Sequence, residues 1–395
     1  MTARAGAFAA LAVMAGCGGG DVATPRPAAT PTPTVERTLE PAPSDEQQIE
    51  ALLHDRAAAL EAGDRQAYAA TATGRQRRRD RDSAARAARL RLRDVTLEAR
   101  RIRVDGDRAA VRVTLAYGIG GVRGSFQSTR RVGVVRAGER WRIARERGGR
   151  DLPLWEAGTV AERRTPHFVV LSEPGAAVDD LLASLESGYA TVRGVLAPGR
   201  LRRRYLVVVA GDAAQARALT TEIRGVETLV AISDATINES GPERRTVGVV
   251  SLRLLVVLPA FAALDPDARR RVITHELTHA ALTGATSGRT PAWLVEGVAL
   301  YLSGDRRPAP PGADLGALSA PGAIARASGV AQSAAYATSS AAAFAIAERF
   351  GPRRLLRLYD AFNDPELAGE PGRRLVRRAV RRELGVSLED LQAGL

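Results

Sequence analysis

The sequence predicts an α+β protein, and three observations carry that expectation. Between residues 45 and 150, helical apolar spacing comes first and four runs of alternating apolar and polar residues follow. Between 167 and 210, two short apolar runs flank a long amphipathic segment, which is the order strand, helix, strand. From 265 onward helical spacing dominates. The chain has 395 residues, enough for two domains and a tail.

At the start, Arg4 is the only charge ahead of a short apolar run, Ala5 to Ala15. That run is too short to span a bilayer and has the length of a signal h-region. Ala15-Gly16-Cys17 resembles a bacterial lipobox, with Met14 where leucine is usual. The resemblance implies a signal peptide over 1–16 and a lipidated Cys17 that ties the chain to the bacterial cell membrane outside the cytoplasm. Cys17 is the only cysteine, so no intrachain disulfide forms. Residues 17–44 are rich in Pro and Thr and read as an extended tether.

Ile49, Leu52, Leu53, Ala57 and Leu60 then recur at helical spacing, and Gly63-Asp64 ends that helix. A second helical piece runs from Gln66 to Ala72, followed by an arginine-rich stretch from Arg75 to Arg93, of which Arg75–Arg79 reads as a solvated helix face, with a lipid or partner contact as the alternative. Strand-like runs follow at Val95–Leu97, Ala109–Leu115, Gly124–Val135 and Arg140–Arg145, separated by turns such as Asp105-Gly106-Asp107 and Ala137-Gly138. Helices first, then a meander ending in Trp141-Arg142-Ile143, resembles the NTF2-like (cystatin-like) fold, giving an NTF2-like domain over 45–150. No catalytic set stands out in it, and His54 and Asp55 read as surface residues. Residues 151–164 read as a linker.

The second domain, 165–395, opens with a strand at His167–Leu171, a helix at Val178–Leu196 and a strand at Tyr205–Ala210. Two more strand-like runs lie at Thr228–Ser233 and Thr246–Leu258. Asp265 as N-cap and Pro266 at the first position start a helix that Gly284 stops. Its apolar stripe is Ile273, Leu277, Ala280 and Ala281. On the opposite side, His275-Glu276-Leu277-Thr278-His279 is an H-E-x-x-H run. Positions i and i+4 share one side of a helix, so His275 and His279 can grip one ion while Glu276 works on a water beside it. The chain holds four histidines in all, and two of them stand at this spacing beside a glutamate.

Catalytic zinc takes three protein ligands and keeps one position open. No histidine follows His279, and Glu296, seventeen positions on (296 − 279 = 17), is the best remaining third ligand. It sits on a short helix with Thr290 as N-cap, Pro291 at the first position, and Val295, Val298, Ala299 and Leu302 as its apolar face. Gly297 beside it leaves room for the two helices to approach.

These residues resemble the gluzincin pattern of the peptidase MA-like family: His275-Glu276-Leu277-Thr278-His279 followed by Pro291-Ala292-Trp293-Leu294-Val295-Glu296-Gly297 and Tyr301. The resemblance implies a zincin-like metallopeptidase domain, with a small mixed sheet, active-site helices and a helical C-terminal part. It also implies Glu296 as the glutamate ligand of a zinc ion bound by His275 and His279. Thermolysin-like members carry an acidic residue four positions after that glutamate to orient a histidine; here the position is Leu300. By the same resemblance, the last strand before the active-site helix pairs with the substrate, and Gly248 to Leu255 is the candidate edge. A Gly/Pro/Ala-rich loop, Gly304 to Gly329, follows, and then a helix carrying Tyr336, Ser340 and Phe344 and ending at Phe350-Gly351.

The expected function is a zinc-dependent metallopeptidase at the cell surface, in which Glu276 takes a proton from the water on the zinc and later hands it to the leaving amine. A tyrosine, Tyr336 or Tyr301, is the candidate second stabiliser of the oxyanion. Peptide or protein is the expected substrate. The alternative is a surface lipoprotein, inactive as a catalyst, that uses both domains for binding. The net charge of +13 raises nucleic acid as a partner, but every basic residue is arginine, the arginines spread over the whole chain and aromatics are only 4 %. No basic stripe with stacking residues stands out, so no nucleic-acid partner is expected. The last helix, Arg373 to Leu384, has Leu375, Val376, Ala379 and Val380 on one face and arginines on the other, the pattern of a helix laid over a core.

Overall fold

Three helices open the folded chain: α1 (Asp45–Glu61), α2 (Arg65–Ala70) and α3 (Gly74–Ala87). Ser44 caps α1 through a reciprocal pair with Gln47, and Asp64 caps α2. Four strands follow: β1 (Leu92–Asp105), β2 (Arg108–Ile119), β3 (Phe126–Ala137) and β4 (Arg140–Gly148), an antiparallel meander in chain order. The strands alternate along most of their length, with breaks in register near Arg93, Arg100 and Gly133. Val111, Val113, Val132, Val134, Trp141 and Ile143 bury one face against Ile49, Leu52 and Leu53 of α1, and the opposite face is polar. The structure, a computed structural model, describes residues 42–149, 151–220, 229–241, 244–367 and 369–395. The expected signal peptide, Cys17 and most of the expected tether lie outside the described residues.

A second sheet is mixed, in the order β5 (Ala161–Arg164), β6 (Phe168–Ser172), β7 (Tyr205–Ala210), β9 (Arg245–Val257), β8 (Ala231–Ser240). The three central strands are parallel, and both outer strands are antiparallel to their neighbours. Helix α4 (Leu154–Ala157) precedes β5, α5 (Asp179–Val195) joins β6 to β7, α6 (Ala213–Leu219) follows β7 and α7 (Leu258–Ala262) follows β9. Both faces of the central strands are covered, so they read as near-continuous apolar runs rather than alternating ones. Phe168, Val170, Val207, Val209, Leu254 and Val256 face α5 and the C-terminal helices. Val169, Leu171, Leu206, Val208, Leu255 and Val257 face the other way, onto a cluster with Leu115, Tyr117, Phe126 and Trp155.

That cluster corrects the expected linker. Residues 151–164 contribute buried Leu154, Trp155 and Val160 and the edge strand β5, so the meander packs directly on the back of the second sheet. The short sequence between two domain patterns lacked a long apolar run. Leu154, Trp155 and Val160 all join one buried cluster that includes residues of both sheets. Residues Pro43–Leu395 accordingly form one compact unit.

The remaining chain is helical: α8 (Pro266–Leu282), α9 (Ala292–Ser303), α10 (Ala323–Arg326), α11 (Gly329–Phe350), α12 (Pro352–Ala361), α13 (Arg373–Leu384) and α14 (Leu388–Ala393). Leu375, Val376, Ala379 and Val380 of α13 are buried in the main core, so this helix lies over a core. Among the described residues no helix is long and apolar enough to cross a membrane.

Candidate metal centre

Helix α8 forms where its signals stand. Asp265 accepts from the Ala268 N–H at 2.8 Å, Pro266 is first in the helix, and Ile273, Leu277, Ala280 and Ala281 are buried. It lies close against α5. A Cβ placed on Gly188 would stand 3.1–3.2 Å from Leu277, Ile273 and Thr274, so the glycine sets that approach. His275, Glu276 and His279 occupy the other side of α8.

Helix α9 begins one residue later than its sequence signals, with Pro291 as N-cap. Thr290 instead turns its hydroxyl back to accept from the Ser287 N–H at 3.0 Å. The expected role of Gly297 also changes. A Cβ there would meet the Ser339 carbonyl oxygen at 2.6 Å and Ala343 at 3.1 Å, so it is α11, not α8, that the glycine admits. Between α8 and α9 the connection is pinned from α12. Ser287 Oγ donates to the Phe362 carbonyl at 2.7 Å, Thr286 and Tyr359 share a 2.6 Å hydroxyl bond, and buried Arg289 donates to the carbonyls of Phe362 and Asp364 at 2.9 and 3.0 Å. Nothing local in the sequence announces this anchoring; only the Ser287/Thr290 turn was within reach of a sequence reading.

The two helices bring His275, His279 and Glu296 together. The Nε2 atoms of the histidines stand 3.0 Å apart, and Glu296 Oε2 lies 3.3 Å from His275 Nε2 and 3.5 Å from His279 Nε2. Donors bound at about 2.0–2.1 Å to a tetrahedral zinc stand about 3.3 Å from one another. The same Oε2 atom is buried and receives no well-aligned hydrogen bond. Three ligand atoms converge on one point, and one of them lacks any other partner; this donor set and spacing fit zinc.

The electrostatics agree. Burial alone would depress His279, but the Glu296 charge and hydrogen bond, with help from Glu276, push it up to about 9. Burial would raise Glu296, yet the histidines hold its carboxyl well below the usual carboxylate range. Burial pushes the Glu276 carboxyl up, a shift the histidines oppose and Glu296 reinforces. Among the described residues two acidic groups and no arginine contact the imidazoles, so the pocket favours a cation, be it a proton or a metal ion.

Glu276 is fixed by the edge strand. The Ser233 N–H of β8 donates to its Oε2 at 2.7 Å. Strand Gly248–Leu255 is the expected edge, but β8 pairs along that stretch and is the strand beside α8, while β7 joins β9 on its other side from Arg253 onward. β9 holds the apolar run Leu254–Val257 and β8 carries Asp234, Asn238 and Glu239, a composition that suits an edge. Tyr336 is half-buried on α11; burial first, then the charges of Glu296 and Glu276, raise its hydroxyl pKa, which places it within electrostatic reach of both. Tyr301 packs edge-on against Phe344 at 5.1 Å. Leu300 is buried in the core. Among the described residues no hydrogen bond reaches the Nδ1 of either histidine. His167 bonds Glu186 at 2.6 Å and stacks on Tyr189, a structural arrangement, and His54 and Asp55 are exposed.

Comparison with known proteins finds no family model and no curated relative that the chain matches.

Proposed function

We propose that this chain is a zinc-dependent metallopeptidase of the gluzincin type, with a zincin-like domain behind an NTF2-like one. The observation that carries the reading is the convergence of His275 Nε2, His279 Nε2 and Glu296 Oε2 within 3.0–3.5 Å of one another beside a base that the edge strand fixes. The mixed sheet with α8 and α9 beside its edge supports the first fold assignment, and three helices followed by a four-stranded meander support the second. His275, His279 and Glu296 would hold the ion. Zinc bound there supplies a Lewis acid that lowers the pKa of a water and polarises a peptide carbonyl.

The chain's own groups do the rest. With Oε2 of Glu276 engaged by Ser233, Oε1 is the oxygen that takes the proton from the attacking water and returns it to the leaving amine. A raised carboxyl pKa suits that exchange, because it brings the acceptor closer to neutrality. Tyr336 is the donor assigned to the developing oxyanion, and its neutral hydroxyl is the form that donates. Beyond Ser233, β8 is the outermost strand of its sheet among the described residues, and an extended peptide would pair along it. Lipidation at Cys17 would hold the enzyme at the outer surface of the membrane.

Zinc content of residues 44–395 tests the reading, measured beside His279→Ala, Glu296→Ala and Glu276→Gln. The expected result is about one zinc per chain, lost in the first two variants and kept in the third, with hydrolysis in Glu276→Gln down by roughly 10²–10⁴-fold. A folded, metal-free wild type would leave a binding lipoprotein instead.

A further inference from the structure

The outward face of the first sheet carries a lattice of arginines. In register, Arg101 of β1 stands opposite Arg112 of β2, Arg112 opposite Arg131 of β3, and Arg131 opposite Arg147 of β4. One step along the strands, the next outward row reads Arg103, Ala110, Gly133, Arg145. The two small residues form the floor of a groove of about 420 Å³, with arginines around it. All six arginines are exposed, and none has a carboxylate partner. Like charges directly opposite on neighbouring strands destabilise a sheet, so folding does not explain this row.

The adjacent residue makes the contrast. Arg130 points to the other face and is matched by Glu146 at 2.8 Å and Glu156 at 2.6 Å. The arginine-rich helix α13 is neutralised in part: Arg377 pairs with Glu389, and Arg382 with Asp364 and Glu383. Helix α3 also exposes arginines, from Arg75 to Arg81, but they fan round a helix, whereas the sheet face sets six guanidinium groups in register on one surface. Strands lie about 4.8 Å apart, so the four-arginine row spans about 14 Å.

We infer that this sheet face docks on an anionic phospholipid surface, with headgroup phosphates seated among Arg101, Arg112, Arg131 and Arg147. Guanidinium forks match phosphate oxygens, and an open, nearly flat array suits a surface that is itself extended. No aromatic side chain stands in either row, which argues against a single-stranded nucleic acid held by stacking. The face belongs to the region nearest Cys17. Twenty-eight positions separate Cys17 from Asp45 (45 − 17 = 28), a length that reaches at most roughly 90–100 Å, so the bilayer lies within range. The inference draws on the lipidation reading only for that proximity. A basic face adds an electrostatic contact with anionic headgroups and fixes how the sheet lies against them.

The test uses the mature chain with Cys17→Ser, so that no acyl chain contributes, and vesicles of equal parts phosphatidylglycerol and phosphatidylcholine. The wild-type face should bind these vesicles, release them at high salt and ignore pure phosphatidylcholine. Reversing two charges, Arg112→Glu with Arg131→Glu, should lower the partition coefficient by at least about 25-fold, at roughly fivefold per arginine. Arg374→Glu with Arg381→Glu on α13, the same change in net charge, should have little effect. Unchanged thermal melting of the sheet variant would show that lost binding is not lost folding. Equal losses in both double variants, or no loss in the sheet variant, would overturn the inference. So would duplex DNA that displaces the vesicles at equal phosphate concentration, since the face would then be a nucleic-acid surface. Zinc content reads the metal centre independently of every one of these outcomes.

Discussion

Two of the places where the molecule buries ionisable side chains are completed differently. Inside the first sheet, Arg56 donates to Asp80 and Glu146, both at 2.7 Å, and Arg130 donates to Glu146 and Glu156. Arg56 also lies over the Tyr68 ring at 3.8 Å, and Gln76 donates to the second oxygen of Asp80. Burial would raise Glu146, but the two guanidinium groups hold it below its ordinary value. Each carboxylate therefore has its counter-ion within the protein. Between α8 and α9 the reverse holds among the described residues: two glutamates face two histidines, no guanidinium contacts the imidazoles, and a carboxylate oxygen is left without an aligned donor. A cluster closed by its own charges stabilises a fold. A cluster whose lone pairs converge is arranged for something it does not contain.

The largest expected effect comes from breaking the closed cluster. Arg56→Ala leaves Asp80 and Glu146 buried with part of their charge uncompensated, which costs about 3–5 kcal/mol. Denaturant unfolding should show that loss, and added zinc should still raise the midpoint, because a ligand that binds only the folded state stabilises it. Glu296→Ala should behave oppositely, with a smaller change in the metal-free protein and no zinc-dependent rise. Zinc-dependent stabilisation retained in Glu296→Ala would remove that residue from the metal centre.

A medium effect is expected where the open cluster is positioned. In Gly297→Ala the new Cβ would stand 2.6 Å from the Ser339 carbonyl oxygen, a backbone atom that cannot swing aside. Helices α9 and α11 must separate, at about 1–3 kcal/mol. Glu296 is the preceding residue, so its carboxylate moves with the helix. Thermal melting and zinc affinity should both fall; a variant with lowered melting and unchanged zinc affinity would uncouple the helix contact from the site.

How much of this was legible in the sequence depended on range. Helix α8, with its cap, its apolar stripe and its two histidines, is a local object, because every signal lies within one segment of 20 residues or so. Glu296 could be reached because it also sits on a short helix with its own apolar face. The pairing of β9 with β7 could not, since it joins segments distant in sequence, although Asp234, Asn238 and Glu239 do mark β8 as an edge. Nor could the contact between Gly297 and Ser339, or the anchoring of the α8–α9 connection by Arg289, because both partners come from distant sequence. Strand β1 shows the opposite failure. Its length was hidden, as Arg100, Arg101 and Arg103 made a 14-residue strand look like a charged loop, while Ile102 and Val104 pack inward between them.

The smallest effect separates two neighbouring arginines. Arg131 stands opposite Arg112 and Arg147 without a carboxylate, and Arg130, on the other face of the same strand, is buried between Glu146 and Glu156. Replacing Arg131 with threonine removes two like-charge contacts and introduces a residue suited to strands. Stability should therefore rise by about 0.2–1 kcal/mol, and more at low ionic strength than at high, because exposed charges repel less when screened. Arg130→Thr should fall by several-fold more than that gain, since it strands two buried glutamates. Denaturant midpoints at two salt concentrations measure both. A loss of stability in Arg131→Thr would mean that the outward row supports the sheet, and the reason for keeping four arginines abreast would have to be sought in folding and not in what the face binds.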